Sequence, residues 1–265
     1  MMFFSFRKDN VDCLKMARTL FGKPLRTAYA FLVDGLAVES GSPLFKKQVS
    51  QIFEKKRPTQ ALFTHGHEDH AGNIDVFNRF GIVPHVHQNA LTYLAAPPVI
   101  PAFRRFAWGQ PAPGHGRPTA GIIETDNYTF RVIPSPGHSP DHICLYEEKE
   151  GWLFTGDLYL GERMIYLYES EDLTAMKDSL KILAGLDFAT MFCSHRGPLQ
   201  KGPDALMRKL NHIISLQERA ADLQKKGYSR RKITETLLGR EDYMYLISRG
   251  EFSKTALVKA LLANE

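Results

Sequence analysis

The segment Thr64-His65-Gly66-His67-Glu68-Asp69-His70 packs three imidazoles and the Asp69 carboxylate into six residues, in a chain of 265 that holds only ten histidines. Neutral imidazole and carboxylate are preferred ligands of zinc and also suit iron or manganese. In an extended stretch side chains alternate faces, so His65 and His67 can point the same way. Asp69 and His70 then fall where the chain turns. The four groups therefore divide into two pairs aimed at two neighbouring metal positions. Two divalent ions about 3.5–4 Å apart can share one water and bring its pKa to about 7. The chemistry on offer is a hydroxide that attacks a carbonyl carbon or a phosphorus atom.

Such a cluster must be held by rigid elements. The apolar Gln60-Ala61-Leu62-Phe63 has the length of a strand, and Ala71-Gly72-Asn73-Ile74 can open a helix. Three later segments repeat the plan of a ligand type just past an apolar run. His138, in Pro136-Gly137-His138-Ser139-Pro140-Asp141-His142, follows Tyr128 to Ile133; Asp157 follows Trp152-Leu153-Phe154-Thr155-Gly156; His195 follows Thr190-Met191-Phe192-Cys193-Ser194. Loops at the ends of buried strands are where a scaffold can fix functional side chains.

Taken together, HxHxDH at His65 to His70, then His138, Asp157 and His195, resembles the metallo-β-lactamase-fold superfamily. The resemblance spans roughly residues 25 to 200. It implies an α/β fold, a four-layer αβ/βα sandwich, here with a C-terminal helical extension. It also implies a ligand set: His65, His67 and His138 on one metal, Asp69, His70 and His195 on the other, and Asp157 bridging them. His142 is expected to support the ligands by a hydrogen bond. The run Pro-Gly-His-Ser-Pro-Asp-His, the Thr-Gly-Asp at 155 to 157 and the helical tail look closest to the branch with glyoxalase II and β-lactamase-like-2 nucleases. One departure is Glu39-Ser40-Gly41, where the family often has Asp-Thr-Gly; that acid normally supports the metal loop.

The leading expectation is a binuclear hydrolase with two divalent ions, zinc first and iron or manganese as alternatives. A hydroxide bridging them would attack an ester, thioester or lactone carbonyl in a small-molecule substrate. Asp69 is ligand first; its second oxygen can take the proton of the attacking water, the one catalytic role assigned. One alternative is a phosphodiesterase or endoribonuclease on the same centre, with RNA as partner. A second is a sulfur dioxygenase holding one iron through His65, His138 and Asp157. A metal-supported binding module without catalysis is the remaining class. Ser194 precedes His195, but this adjacency makes no Ser-His-Asp triad.

An apolar fraction of 43% and a charged fraction of 24% are globular values. No apolar run is long enough for a membrane span, and the first residues lack the pattern of a signal peptide. Cys13, Cys144 and Cys193 form no CxxC pair, which fits a reduced cytoplasm. Cys144 and Cys193 lie in apolar runs and read as inert core. The net charge of +5 belongs to the tail: residues 201–265 hold 13 Lys/Arg against 8 Asp/Glu, and residues 1–200 hold 21 of each. Lys225-Lys226 and Arg230-Arg231-Lys232 are its densest part, a solvated helical face or an anion-attracting one.

Two domains are expected, a catalytic one over 1–200 and a helical extension over 201–265. Asp34-Gly35 marks a hairpin between Tyr29–Val33 and Leu36–Glu39. Helices are expected over 43–57 with Ser42 as N-cap, over 71–80, 170–186, 203–227, 229–238 and 253–262. Strands 121–124 and 128–133 make one hairpin, and 142–147 and 151–155 another. Residues 82–87 read as a strand with His85 and His87 on one face. Residues 95–120 hold six prolines and three glycines around Phe103, Arg104, Arg105, Phe106 and Trp108, which leaves little helix. So long a segment suits a lid, a pocket wall or a homodimer contact through its aromatics.

Overall fold

The computed structural model describes residues 1–168 and 170–263. The chain opens with strands β1 (Met2–Lys8), β2 (Val11–Leu20), β3 (Lys23–Val33) and β4 (Leu36–Val38). Helix α1 (Lys46–Lys56), β5 (Gln60–Leu62), α2 (Ile74–Arg79) and β6 (His85–Val86) follow. Next come α3 (Leu91–Ala95), α4 (Ala102–Trp108), β7 (Arg117–Pro118), β8 (Ile122–Glu124) and β9 (Thr129–Pro134). The middle of the chain supplies β10 (Ile143–Glu147), β11 (Trp152–Gly156), β12 (Leu167–Tyr168) and α5 (Leu173–Ala184). The remainder is β13 (Thr190–Cys193), β14 (Gly197–Gln200), α6 (Gly202–Lys225), α7 (Arg230–Leu238), α8 (Tyr243–Ile247), β15 (Phe252–Ser253) and α9 (Lys254–Leu262). These elements form two units, and both the α/β sandwich and the helices past residue 200 are present.

The first unit comprises Met1–Pro134, Pro140–Leu160 and Asp187–Gly202. It holds a seven-stranded sheet in the order β1 to β7 and a six-stranded sheet in the order β14-β13-β11-β10-β9-β8. Period-two alternation lets one strand serve two cores. On β3, Tyr29, Phe31 and Val33 face the second sheet, where they meet Phe130, Leu145, Phe154 and Phe192. Ala28, Ala30 and Leu32 face the other way, in a core with Val49 and Phe53 of α1 and Phe77 of α2. Phe154 and Phe192 stack with centroids 4.7 Å apart, and Phe31 meets each edge-on at 5.4 and 5.5 Å. This aromatic block lies just before the ends of β11 and β13, from which Asp157 and His195 emerge.

The Asp34-Gly35 turn takes φ of 47° and 79°, the paired left-handed values a two-residue hairpin needs. Ser42 accepts the Leu44 N–H at the head of a short 3-10 turn that runs into α1. Two hairpins not foreseen from the sequence, β1–β2 and β2–β3, precede it. The segment 95–120 contains α4, seven residues framed by Pro101 and Gly109. His85 and His87 share no strand face. β6 ends at Val86; His85 Nε2 accepts from Arg117, and His87 Nδ1 accepts the Asn89 N–H. Both are structural.

The second unit comprises Ser135–Ser139, Gly161–Leu186 and Pro203–Glu265 as a division of the chain. Leu173, Met176, Leu180 and Leu183 line the buried face of α5, as their spacing predicts. Strands β12 and β15 pair antiparallel, Leu167 with Ser253 and Tyr168 with Phe252. Ser229 and Ser253 cap α7 and α9 by accepting the Lys232 and Ala256 N–H groups. Among the described residues no helix is long and apolar enough to cross a membrane.

Candidate metal centre

The site grows from strand ends. β4 pairs in parallel with β5, and β11 in parallel with β13, so each pair delivers its carboxyl ends together. Glu39 follows β4, Thr64 to His70 follow β5, Asp157 follows β11 and His195 follows β13. β10, antiparallel to β11, begins next to His142. The β11–β13 ladder is irregular between Phe154 and Gly156, the kind of bulge that redirects the residues beyond it. Gly156 has φ 47°, and a Cβ there would come within 2.5 Å of Thr64 Oγ1 and 2.6 Å of His142 Nε2. Only glycine lets Asp157 enter by this route.

Hydrogen bonds then fix which nitrogen each histidine presents. Thr64 Oγ1 donates its single proton to Glu39 Oε1 at 2.5 Å, so toward His65 Nδ1, 3.1 Å away, it is an acceptor. His65 therefore presents Nε2, which stands 2.9 Å from Nδ1 of His67. His70 Nδ1 donates to Glu39 Oε1 at 3.0 Å, and His195 Nδ1 donates to the Thr27 carbonyl at 2.5 Å. Both turn Nε2 inward. His70 Nε2 lies 3.2 Å from Asp157 Oδ1 and 3.8 Å from Asp69 Oδ2; His195 Nε2 lies 3.1 Å from Asp157 Oδ1 and 3.3 Å from Asp69 Oδ2.

The donor set fits divalent metal binding. His65, His67 and Asp157 offer ligand atoms within 4.8 Å of one another, and so do Asp69, His70 and His195. With Zn–N bonds of about 2.0–2.1 Å, neighbouring ligands of a tetrahedral ion lie roughly 3.3 Å apart. The separations above bracket that figure. His70 Nε2 is buried and makes no hydrogen bond of good geometry. A ligand nitrogen waiting for a cation behaves in this way.

The electrostatics agree. Burial alone would lower the pKa of His70, but the Asp157, Glu39 and Asp69 carboxylates outweigh it and hold the imidazole well above its usual range. Burial likewise opposes the charge on His195, and Asp157 and Asp69 raise it. For Asp157 burial pushes up, while His195 and His70 bring it well below the ordinary carboxylate range. In the metal-free chain protons take the place of cations.

The supporting residues are mostly ones that sequence spacing alone did not assign. His142, expected there, accepts the Asp157 N–H on Nε2 at 3.1 Å. Asp141 Oδ2 accepts the Gly66 N–H at 2.8 Å, pinning the turn between His65 and His67. Ser194 Oγ donates to Glu39 Oε1 at 3.2 Å, so it braces the site and is no nucleophile. Cys193 is buried, with Sγ 2.7 Å from the Tyr159 carbonyl. From the proline-rich segment, Arg104 Nε and its terminal amine fork onto both oxygens of buried Glu68, at 2.8 and 2.6 Å. Trp108 lies against His195 with ring centroids 5.7 Å apart. His138 belongs to the second unit, where its Nδ1 pairs with Glu171 Oε1 at 2.9 Å. His115 is loop, bonded through its backbone to Asn78.

Strand-end loops carrying these histidines and aspartates define a metal-binding α/β protein. The sequence profile of the metallo-beta-lactamase superfamily matches residues 27–195, and the chain belongs to that superfamily. Among curated proteins it is similar to thioesterase pkgB of Emericella nidulans, 26% identical over 181 residues that cover 68% of this chain and 47% of that one. It is also similar to the lactamase-like protein nscB of Trichophyton verrucosum, 29% identical over 178 residues, 66% of this chain and 54% of that one. The chain thus spans about half the length of these relatives. Among solved structures, a metallo-beta-lactamase family protein of Thermus thermophilus superposes with TM-score 0.71 at 18% identity, covering 96% of this chain and 93% of that one. A beta-lactamase domain protein of Burkholderia ambifaria gives 0.72 at 18% identity, covering 98% and 90%. These likenesses establish the fold.

Proposed function

We propose that the protein is a binuclear metallohydrolase, with zinc as its metal, that cleaves an ester, thioester or lactone. His65, His67, His138 and Asp157 would hold one ion, and within the first unit His65, His67 and Asp157 offer ligand atoms suited to it. Asp69, His70 and His195 would hold the other. The observation that carries this reading is the intact second set: Asp69 and Asp157 oxygens stand 3.1 to 3.3 Å from His195 Nε2.

When bound, such an ion pair polarises a substrate oxygen and lowers the pKa of a water to about 7. The chain's own residues do the rest. Glu39, Thr64 and the Thr27 carbonyl hold the imidazoles in the ligating tautomer, so little reorganisation accompanies the reaction. Asp69 would be a ligand through one oxygen and would take the proton of the attacking water on the other. Trp108 covers one side of His195 with an apolar face that keeps bulk water away.

Carbonyl substrates are favoured over phosphodiesters by two observations. A similar fungal protein is named a thioesterase. Arg104, one of the two arginines beside the aromatics of the 95–120 segment, is occupied by Glu68, which leaves only exposed Arg105 to meet a phosphate there. The test is metal content per chain by elemental mass spectrometry, followed by a panel of acyl thioesters, esters, lactones and RNA. About two zinc ions and a chelator-sensitive hydrolysis of a carbonyl substrate, lost in Asp157→Ala, are expected. One iron and no zinc, or cleavage of RNA alone, would sink the proposal.

A further inference from the structure

In the second unit His138 stands on a five-residue turn laid flush against α5. The Asp172 N–H donates to the Gly137 carbonyl at 2.8 Å, and Ser179 Oγ donates to the Pro136 carbonyl at 2.7 Å. Gly137 has φ 139°, and any Cβ there would collide with the Met176 backbone. Glu171, just before the N-cap of α5, closes the arrangement. Its Oε1 accepts from His138 Nδ1 at 2.9 Å and its Oε2 accepts the Tyr168 N–H at 2.9 Å. The two side chains are 9% and 8% exposed, so water competes little for either.

Tyr168 is itself held. It sits on β12, paired with β15, and its hydroxyl donates to Glu251 Oε2 at 3.0 Å. Glu171 is thereby fixed from two directions, by the head of α5 and by a strand whose partner lies 84 residues further along, next to α9 (Tyr168 with Phe252). A carboxylate gripping Nδ1–H leaves the imidazole lone pair on Nε2, fixes the ring and raises its basicity.

We propose that Glu171 is a positioning residue for metal binding through His138, and that the pairing of β12 with β15 makes the C-terminal helices part of that device. The inference rests on the binuclear reading above. The end of the chain then serves to keep one metal ligand in one tautomer and one direction.

The test uses the full chain, stripped of metal, with zinc titrated against a chromophoric chelator and with cobalt(II) absorption as a second readout. Glu171→Ala should weaken one of the two zinc ions by roughly 10- to 100-fold, leave the other unchanged and alter the cobalt spectrum of that site. Glu171→Gln, whose amide oxygen still accepts the Nδ1–H, should recover most of the loss. Should the alanine variant not fold, Glu171→Asp carries the test, because a side chain shorter by one methylene no longer reaches Nδ1; the same single-site loss is expected. Both ions bound as tightly as in the wild type would overturn the inference. So would equal weakening of both ions without recovery by glutamine. A wild-type chain that takes up no divalent ion would overturn the binuclear reading instead.

Discussion

Glu39 Oε1 lies 3.0 Å from Nδ1 of His70, and both side chains are fully buried. The same carboxylate accepts from Thr64 Oγ1, the Thr64 N–H and Ser194 Oγ. One acid thus ties together the loops that follow β4, β5 and β13. Its backbone is left-handed, with φ 67°, a conformation that costs a non-glycine residue energy and is kept where the surroundings demand it. The longer glutamate, in place of the aspartate common in resembling proteins, reaches all four donors.

Replacing Glu39 should therefore be costly even without metal. Glu39→Ala strands four buried donors, each costing about 1–3 kcal/mol when unsatisfied. Urea unfolding of the metal-free variant should show a loss of at least roughly 3 kcal/mol, with weaker binding of the ion held by His70. A loss below about 1 kcal/mol would mean that water enters and satisfies these groups. Glu39→Gln, which keeps the shape, should fall between the two.

The fork of Arg104 on Glu68 ties α4 to the loop that follows β5. Burial raises the Glu68 pKa and the Asp69 charge adds to it, while Arg104 holds it down. Breaking such a buried pair from one side costs about 3–5 kcal/mol. Arg104→Ala should therefore destabilise strongly, and with a telling pH dependence. Without Arg104 the folded pKa of Glu68 rises further above its unfolded value. A raised acid contributes stability below the unfolded pKa and loses it as pH rises through the folded one. The deficit of Arg104→Ala, read from thermal melts, should thus grow from pH 5 to pH 8. The double variant Glu68→Gln with Arg104→Ala should remove that growth; a pH-independent deficit would show that the charge pair is not its cause.

The candidate ligands are legible in the sequence because each follows a short apolar run, a local signal that survives without the fold. The second hairpin of the chain was not. Phe21 occupies its turn at φ 49° beside Gly22, where turn chemistry leads one to expect Asn or Asp, and the residue is 95% exposed. Phe4 and Phe6 of β1 are exposed too, so that strand lacks an apolar–polar alternation to read. Helix α4 hid among prolines, although Pro101 and Gly109 bound it in the usual sense of helix start and stop signals. Glu39 stands out by its identity, but its three partner residues, Thr64, His70 and Ser194, come from distant loops. Glu171 lies 33 residues from His138, and no local pattern announces such a pairing.

Proton and metal compete for the same nitrogens, which gives a last prediction with two opposite slopes. In the metal-free chain burial works against the charged form of His70 and His195, but Asp157 and its neighbours raise both pKa values. A histidine raised on folding contributes stability that is complete below its unfolded pKa, about 6.5. That contribution is lost as pH rises through the folded values. Asp157, depressed by the same contacts, contributes above the usual carboxylate range and loses its share only in acid. The metal-free melting temperature should therefore fall as pH rises above about 6.5. Ligation needs neutral imidazoles, so zinc affinity should rise over the same interval. The difference between the melting temperatures of loaded and stripped protein should widen steadily with pH, and His70→Gln should flatten both trends. A gap that stays constant from pH 6 to pH 9 would show that these histidines do not exchange protons for metal.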